Sequence, residues 1–128
     1  MRLIQKVILL LVLSFLCNSV FADWVLLSEN EFATQYIDPS TLKREGKFRR
    51  LWELNDYKTR QPEGHHSVRS KKIYDCQGER WKYLSITAFS EPYGKGSTIY
   101  SSDDEDVNWR LIPPRTPAAI ALERICKK

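Results

Sequence analysis

The sequence contains few of the features that identify an enzyme. It has two histidines among 128 residues, no glycine-rich phosphate loop, no nucleophile motif and no recognisable pair of closely spaced catalytic carboxylates. The two histidines, His65 and His66, are adjacent in a polar segment that offers no further metal ligands. We therefore predict a protein that is not an enzyme and that needs no metal or other cofactor.

Long hydrophobic runs are also scarce. One apolar run, residues 7–16, follows the basic residues Arg2 and Lys6. It has the length of the core of a secretory signal and is too short to span a bilayer. The sequence after it contains no second run of that kind, so we expect no transmembrane segment in the mature chain.

The end of this segment resembles a signal-peptidase site. Val20 and Ala22 occupy the third and first positions before Asp23, where the peptidase prefers small or modest side chains. We therefore predict a signal peptide over residues 1–22 and one domain over residues 23–128. That size suits a single folded unit.

Cys17 follows Leu16 rather than the small residue that a lipoprotein signal requires. We therefore predict that Cys17 is removed with the signal and that the mature chain is not lipidated. The destination stays open among the periplasm, the outer-membrane surface and secretion into the medium.

A strong excess of positive charge is missing once the signal is removed. The chain has 20 basic and 16 acidic residues, and without Arg2 and Lys6 the balance is 18 against 16, a net charge of +2. Domains that bind nucleic acid usually have a larger basic excess. We therefore exclude nucleic acid as the partner.

Two cysteines remain in the predicted mature chain, Cys76 and Cys126. In an exported protein an even number of cysteines favours a disulfide. A metal site is the weaker alternative, because neither cysteine has a second ligand at the spacing of a zinc site.

Short segments of alternating apolar and polar residues dominate the mature region, which is typical of β-strands. We predict strands over residues 24–27, 34–38, 47–57, 68–76, 80–89, 98–101 and 107–112, with a turn at residues 38–40. In the 80–89 strand we expect one face to carry Trp81, Tyr83, Ser85, Thr87 and Phe89. The predicted fold class is mainly β (α+β), a single antiparallel sheet of about six strands with one carboxy-terminal helix.

That helix begins at a capping residue, Thr116, followed by Pro117 at the first helical position. Five of its apolar residues fall on one stripe, Ala118, Ala121, Leu122, Ile125 and Cys126, whereas Ile120 points away from it. Because Cys126 lies on the stripe, we expect the disulfide to Cys76 to clamp the helix to one face of the sheet.

Basic residues cluster around the turn at Gly46 and on a strand that we expect nearby. The candidate binding residues are Lys43, Arg44, Lys47, Arg49, Arg50, Lys71 and Lys72, with Arg69 next to them. Arginines beside aromatic rings suit sulfated glycans or acidic protein surfaces. The alternative is that these charges only keep an exposed sheet soluble.

Several segments of the chain carry a family resemblance. They are "YIDPSTL" (36–42), "RLWELNDY" (50–57), "SVRSKKIYDC" (67–76), "GKG" (94–96), Trp109 and the late Cys126. In this order they resemble the surface-adhesin protein E family of small exported bacterial domains. The resemblance implies an antiparallel sheet with a disulfide-linked helix and, for the family's namesake, attachment to host proteins such as vitronectin and laminin.

Two functions follow as hypotheses. The first is a non-enzymatic binding module that attaches to a host or extracellular-matrix protein. The alternative is a periplasmic accessory protein, an inhibitor or an envelope stress or assembly factor, that has no adhesive role and binds another envelope protein. A homodimer is compatible with both.

Overall fold

The computed structural model describes residues 1–14 and 22–127. Helix α1 (Arg2–Ser14) contains most of the amino-terminal apolar run. No helix among these residues is long and apolar enough to cross a membrane. Cys17 and the positions just before Ala22 lie outside the described residues, so the signal peptide stays a prediction.

A single antiparallel sheet forms the body of the domain. Among the described residues its strands are β1 (Val25–Glu29), β2 (Ala33–Glu45), β3 (Phe48–Tyr57), β4 (Ser67–Asp75), β5 (Arg80–Phe89), β6 (Thr98–Ser102) and β7 (Arg110–Leu111). Their order is β1-β2-β3-β4-β5-β6, and β7 also pairs with β5. The predicted class and sheet are confirmed, and each predicted strand has a counterpart.

The turn predicted at residues 38–40 is wrong. Strand β2 continues through this segment, and its pairing with β3 shifts register between Asp38 and Lys43. The Asp38 carboxylate accepts hydrogen bonds from the backbone N–H and the hydroxyl of Ser40. These bonds satisfy polar groups inside an irregular strand, where Pro39 is tolerated because it needs no ladder partner.

The set of residues predicted to share one face of β5 is also wrong from Ser85 onward. Lys71 pairs with Ser85 while Lys72 pairs with Tyr83, so Leu84 is an extra residue in β5. A bulge of this kind reverses the alternation after it. The face with the helix therefore carries Trp81, Tyr83, Ile86 and Ala88, and Phe89 belongs to the other side.

Helix α2 (Pro117–Cys126) packs on one face of the sheet. The Thr116 side chain accepts a hydrogen bond from the Ala119 N–H at 3.2 Å, as its capping role requires. Ala121 and Ile125 are 0% and 2% exposed. They pack against the core residues Leu27, Ile37, Leu51 and Tyr74.

The carboxy-terminal end of α2 is attached to the sheet twice. Cys76 and Cys126 form the predicted disulfide, with their Cα atoms 5.8 Å apart. Arg49 Nε donates a hydrogen bond to the carbonyl oxygen of Ile125 at 3.2 Å. The helix therefore covers one face of the sheet. The opposite face carries the exposed Arg69 together with buried apolar side chains such as Leu54 and Ile73.

Candidate functional site

The sheet face opposite α2, which we call the outer face, brings several cationic and aromatic side chains together. Alternation along β3 directs Leu51 toward the helix and its neighbours Arg50 and Trp52 away from it. Antiparallel pairing then places Lys71 beside Trp52, and Lys43 beside Arg50. The outer face therefore combines cationic and aromatic side chains from three neighbouring strands.

Arg69 is the third residue of β4 and lies on this face. Its guanidinium carbon lies 5.5 Å from the centre of the Trp52 ring and 5.4 Å from that of Phe89. The side chain is exposed, and among the described residues it forms no ion pair. The rings hold the guanidinium in place while its N–H groups remain available to an anion.

A second cation–aromatic cluster lies at the other end of the outer face. Phe48 and Trp109 stack with ring centres 5.9 Å apart and planes 14° from parallel. Arg80 and Lys82 lie 4.6 and 4.7 Å from the centre of the Trp109 ring. Because β7 pairs with β5, a tryptophan distant in sequence joins the face at this point.

One buried carboxylate organises this cluster. Asp75, which is 1% exposed, lies 3.0 Å from Arg80 Nε and 3.9 Å from Lys47 Nζ. Burial alone would raise the pKa of Asp75. The Gly78 N–H, the Arg80 guanidinium, Lys47 and the Gln77 N–H together outweigh burial and lower that pKa.

An acidic segment, residues 103–106, lies against the outer face rather than extending freely into solvent. Glu105 Oε1 is 3.0 Å from Lys82 Nζ. Asp106 Oδ2 accepts hydrogen bonds from the Tyr83 N–H at 3.1 Å and from Arg110 at 3.4 Å. Between this segment and the sheet is a groove of about 400 Å³. The groove is lined by Arg50, Trp52, Lys71, Leu84, Ser85, Asp103 and Glu105.

The structure separates the candidate basic residues into three groups. The first group lies on the outer face and consists of Lys43, Arg50 and Lys71, together with Lys47, whose Nζ is 5.3 Å from the centre of the Phe48 ring. The second group is Arg44, which is exposed and pairs with Arg49 in the ladder. The role of these residues in binding remains a prediction.

Arg49 and Lys72 form the third group, because they are not surface residues. Arg49 is 9% exposed and bonds the carbonyls of Gly46 and Phe48 in addition to that of Ile125. Lys72 is 4% exposed, on the helix side of the sheet. Both were expected in a surface patch, and in the structure both are buried. A role of either residue in binding stays a prediction.

Lys72 belongs to a buried polar cluster around Glu53. The Glu53 carboxylate accepts hydrogen bonds from Gln35 Nε2 at 2.5 Å and from the Tyr74 hydroxyl at 2.7 Å, and Lys72 Nζ is 3.4 Å away. Burial and the adjacent Glu53 charge raise the pKa of Tyr74 well above its usual value. The cluster supplies mutual partners for groups that would be costly to bury alone.

A cavity of about 340 Å³ lies between this cluster and the start of α2. Within residues 1–14 and 22–127, no group of three or more His, Cys, Asp or Glu side chains is arranged to hold a metal ion. His65 packs edge-on against Tyr57 with ring centres 5.6 Å apart.

Arg80, Lys82 and Trp109 were not among the residues predicted to bind, and the contact of residues 103–106 with the sheet was not predicted either. The sequence did contain a pattern that indicates the β3 part of the outer face. Residues 48, 50 and 52 alternate as Phe, Arg and Trp, which indicates one cationic and aromatic strand face.

The single sheet, the clamped helix and the cationic outer face define a small disulfide-bonded α+β domain with a surface suited to binding. The chain belongs to the surface-adhesin protein E family, whose sequence profile matches residues 24–127. The expected family is therefore confirmed. No curated protein sequence matches the chain significantly.

Solved structures of Haemophilus influenzae protein E have a similar fold. Crystal form II is 19% identical, with a TM-score of 0.61 over 84% of this chain and 90% of that one. A second protein E structure is 20% identical, with a TM-score of 0.59 over 84% and 86%. Protein E from a non-typeable strain is 19% identical, with a TM-score of 0.58 over 85% and 78%.

Proposed function

We propose that the chain is the binding domain of an exported adhesin and that its outer face attaches to acidic surfaces of host or extracellular-matrix proteins. Membership in a surface-adhesin family supports the general role and favours a non-enzymatic activity. The observation that carries the proposed site is Arg69, an exposed guanidinium placed beside two aromatic rings.

The physical argument rests on preorganisation. A free arginine loses side-chain entropy when it binds a carboxylate, and contact with Trp52 and Phe89 reduces that loss because the side chain is already ordered. A guanidinium also bonds a carboxylate through two parallel N–H groups, which makes the pair directional. Lys71, beside Trp52 in the ladder, adds a second positive charge nearby.

The acidic segment supports the choice of an acidic protein as the partner. Asp103 and Glu105 line the same groove as Arg50 and Lys71, so carboxylates carried by a polypeptide fit beside this part of the face. In this proposal the segment is an internal competitor that a partner displaces or extends. The proposal also includes export by the amino-terminal signal and display at the cell surface.

Binding assays with vitronectin, laminin and a glutamate-rich peptide test the site. Changing Arg69 and Lys71 together to glutamine should weaken capture of an acidic partner about tenfold or more, equivalent to about 1.4 kcal/mol. It should also reduce the dependence of binding on salt concentration. Arg44→Gln is the matched control, because Arg44 is exposed but does not lie on the outer face.

Two results would contradict the proposal. One is equal binding by the double variant and the Arg44→Gln control at low and high salt. The other is binding of heparin but of none of the proteins, which would assign the face to sulfated glycans. Protease treatment of intact cells tests display, because a surface adhesin is removed and a periplasmic protein is protected.

A further inference from the structure

Asp38 is a buried carboxylate that has hydrogen bonds but no cation. It is 4% exposed. Its Oδ1 accepts from the Ser40 N–H at 3.1 Å and from the Ser40 hydroxyl. Among the described residues it forms no ion pair. A buried charge without an opposite charge is costly, so a missing partner is a specific clue.

The remaining donor to Asp38 is the backbone nitrogen of Asp23, 3.3 Å from Oδ2. Its position follows from strand pairing: Val25 lies opposite Ile37 in the β1–β2 ladder, so the segment just before Val25 runs alongside Asp38 and Pro39. Asp23 is also the residue that follows the predicted signal-peptidase site. The nitrogen that faces the carboxylate is therefore the one that cleavage after Ala22 would set free.

We propose that the amino terminus produced by cleavage after Ala22 docks on Asp38 and supplies the cation that this carboxylate lacks. Hydrolysis of the Ala22–Asp23 bond by a signal peptidase consumes one water molecule. The hydroxyl goes to the carbonyl carbon of Ala22, and the nitrogen of Asp23 becomes an amine that is protonated at neutral pH, since such groups have a pKa of about 7.7–8.0. One neutral N–H donor is replaced by an ammonium group with three donors.

Cleavage after Ala22 would thus stabilise the folded domain as well as release it from the signal peptide. A hydrogen bond between two charged groups is roughly twice as strong as one between neutral groups, so the existing contact gains strength without movement of the chain. Cleavage also removes Ala22 from the wall of a depression of about 330 Å³ that contains Trp24, Trp52 and Arg69. The docked terminus then borders the outer face. This inference does not depend on which partner that face binds.

Proteins with different first residues test the docking directly. One begins at Asp23, a second carries Gly-Ser ahead of Asp23, and a third begins at Trp24. The extension keeps the hydrogen bond as an ordinary amide but removes the charge, so we expect its melting temperature to be lower by about 4 °C. The chain that begins at Trp24 loses the donor and should be at least as unstable.

The same comparison in an Asp38→Asn background separates the ion pair from a general effect of the extension. There the Gly-Ser extension should leave the melting temperature unchanged. Equal stability of the two proteins with Asp38 present would overturn the proposal, as would an equal loss in both backgrounds.

Acylation of the terminal amine gives a readout that does not require the Asp38→Asn variant to fold. An amine-reactive ester at neutral pH should modify the Asp23 amine several-fold more slowly in the folded protein than in a peptide of residues 23–30. Equal rates would refute docking. A mature protein from the cell envelope whose mass indicates a first residue other than Asp23 would refute it as well.

Discussion

Replacement of Arg49 by methionine is the sharpest test of the fold, because sequence patterning assigns this residue to a surface patch and the structure places it inside. Methionine keeps most of the aliphatic stem and removes the guanidinium. The Ile125 carbonyl belongs to the last turn of α2, where carbonyls have no partner within the helix. Without Arg49 that carbonyl loses its donor.

The magnitude follows from the three hydrogen bonds that Arg49 donates. A hydrogen bond from a charged group contributes about 1.5–3 kcal/mol. The bonds to Gly46 and Phe48 lie at a surface turn, where water replaces the donor at little cost, so the bond to Ile125 accounts for most of the loss. We expect the free energy of unfolding to fall by about 2–4 kcal/mol, a large share of the roughly 5–15 kcal/mol typical of a domain.

Urea denaturation followed by circular dichroism measures this change, with Arg44→Met as the control. Arg44 lies opposite Arg49 in the ladder but is exposed, so its replacement should alter stability by less than about 0.5 kcal/mol. Folded Arg49→Met should still bind the partner of the outer face. A loss no larger than that of Arg44→Met would refute the structural role, and normal stability with lost binding would return Arg49 to the binding site.

Three further predictions concern the clamp, the acid stability and the helix. Changing Cys76 and Cys126 together to serine should lower the free energy of unfolding by about 4 kcal/mol, because the disulfide closes a loop of 50 residues. Thermal unfolding with and without reductant measures this change, and reductant should not affect the variant. The lowered pKa of Asp75 means that its stabilisation is present above the unfolded pKa of about 3.9 and disappears as the pH falls through the folded pKa. Asp75→Asn should therefore be less stable at neutral pH, with the difference shrinking in urea titrations below pH 4; a constant difference at all pH values would contradict this. Ile125→Asp should lower the free energy of unfolding by several kcal/mol because it buries an unpaired charge, whereas Ile120→Asp on the exposed side of α2 should change it little. Similar melting temperatures for the two variants would mean that α2 packs differently.

Features that depend on neighbouring residues could be predicted from the sequence. Helix α2 is one, because its cap, its first-position proline and its apolar stripe all lie within a dozen residues. The sheet is another, because each strand has its own alternation and its own turns. The disulfide followed from a count, since only Cys76 and Cys126 remain after the predicted signal.

The composition of the outer face depended on tertiary structure. Neighbours such as Arg49 and Arg50, or Lys71 and Lys72, have the same chemistry but point to opposite sides of a strand. The position of α2 decides which member of each pair the helix covers. The extra residue at Leu84 then reverses the alternation of β5, and a local pattern contains no information about where a bulge will form.

The longest-range contacts were the least accessible to sequence analysis. Trp109 reaches Phe48, and Glu105 reaches Lys82, because strands distant along the chain pair side by side. The nitrogen of Asp23 reaches Asp38 for the same reason. The sequence by itself determined the type and order of the elements and the covalent clamp, through local patterns and residue counts. Strand register and the docking of α2 decided which charges are buried and which face a partner, because these depend on packing across the whole sheet.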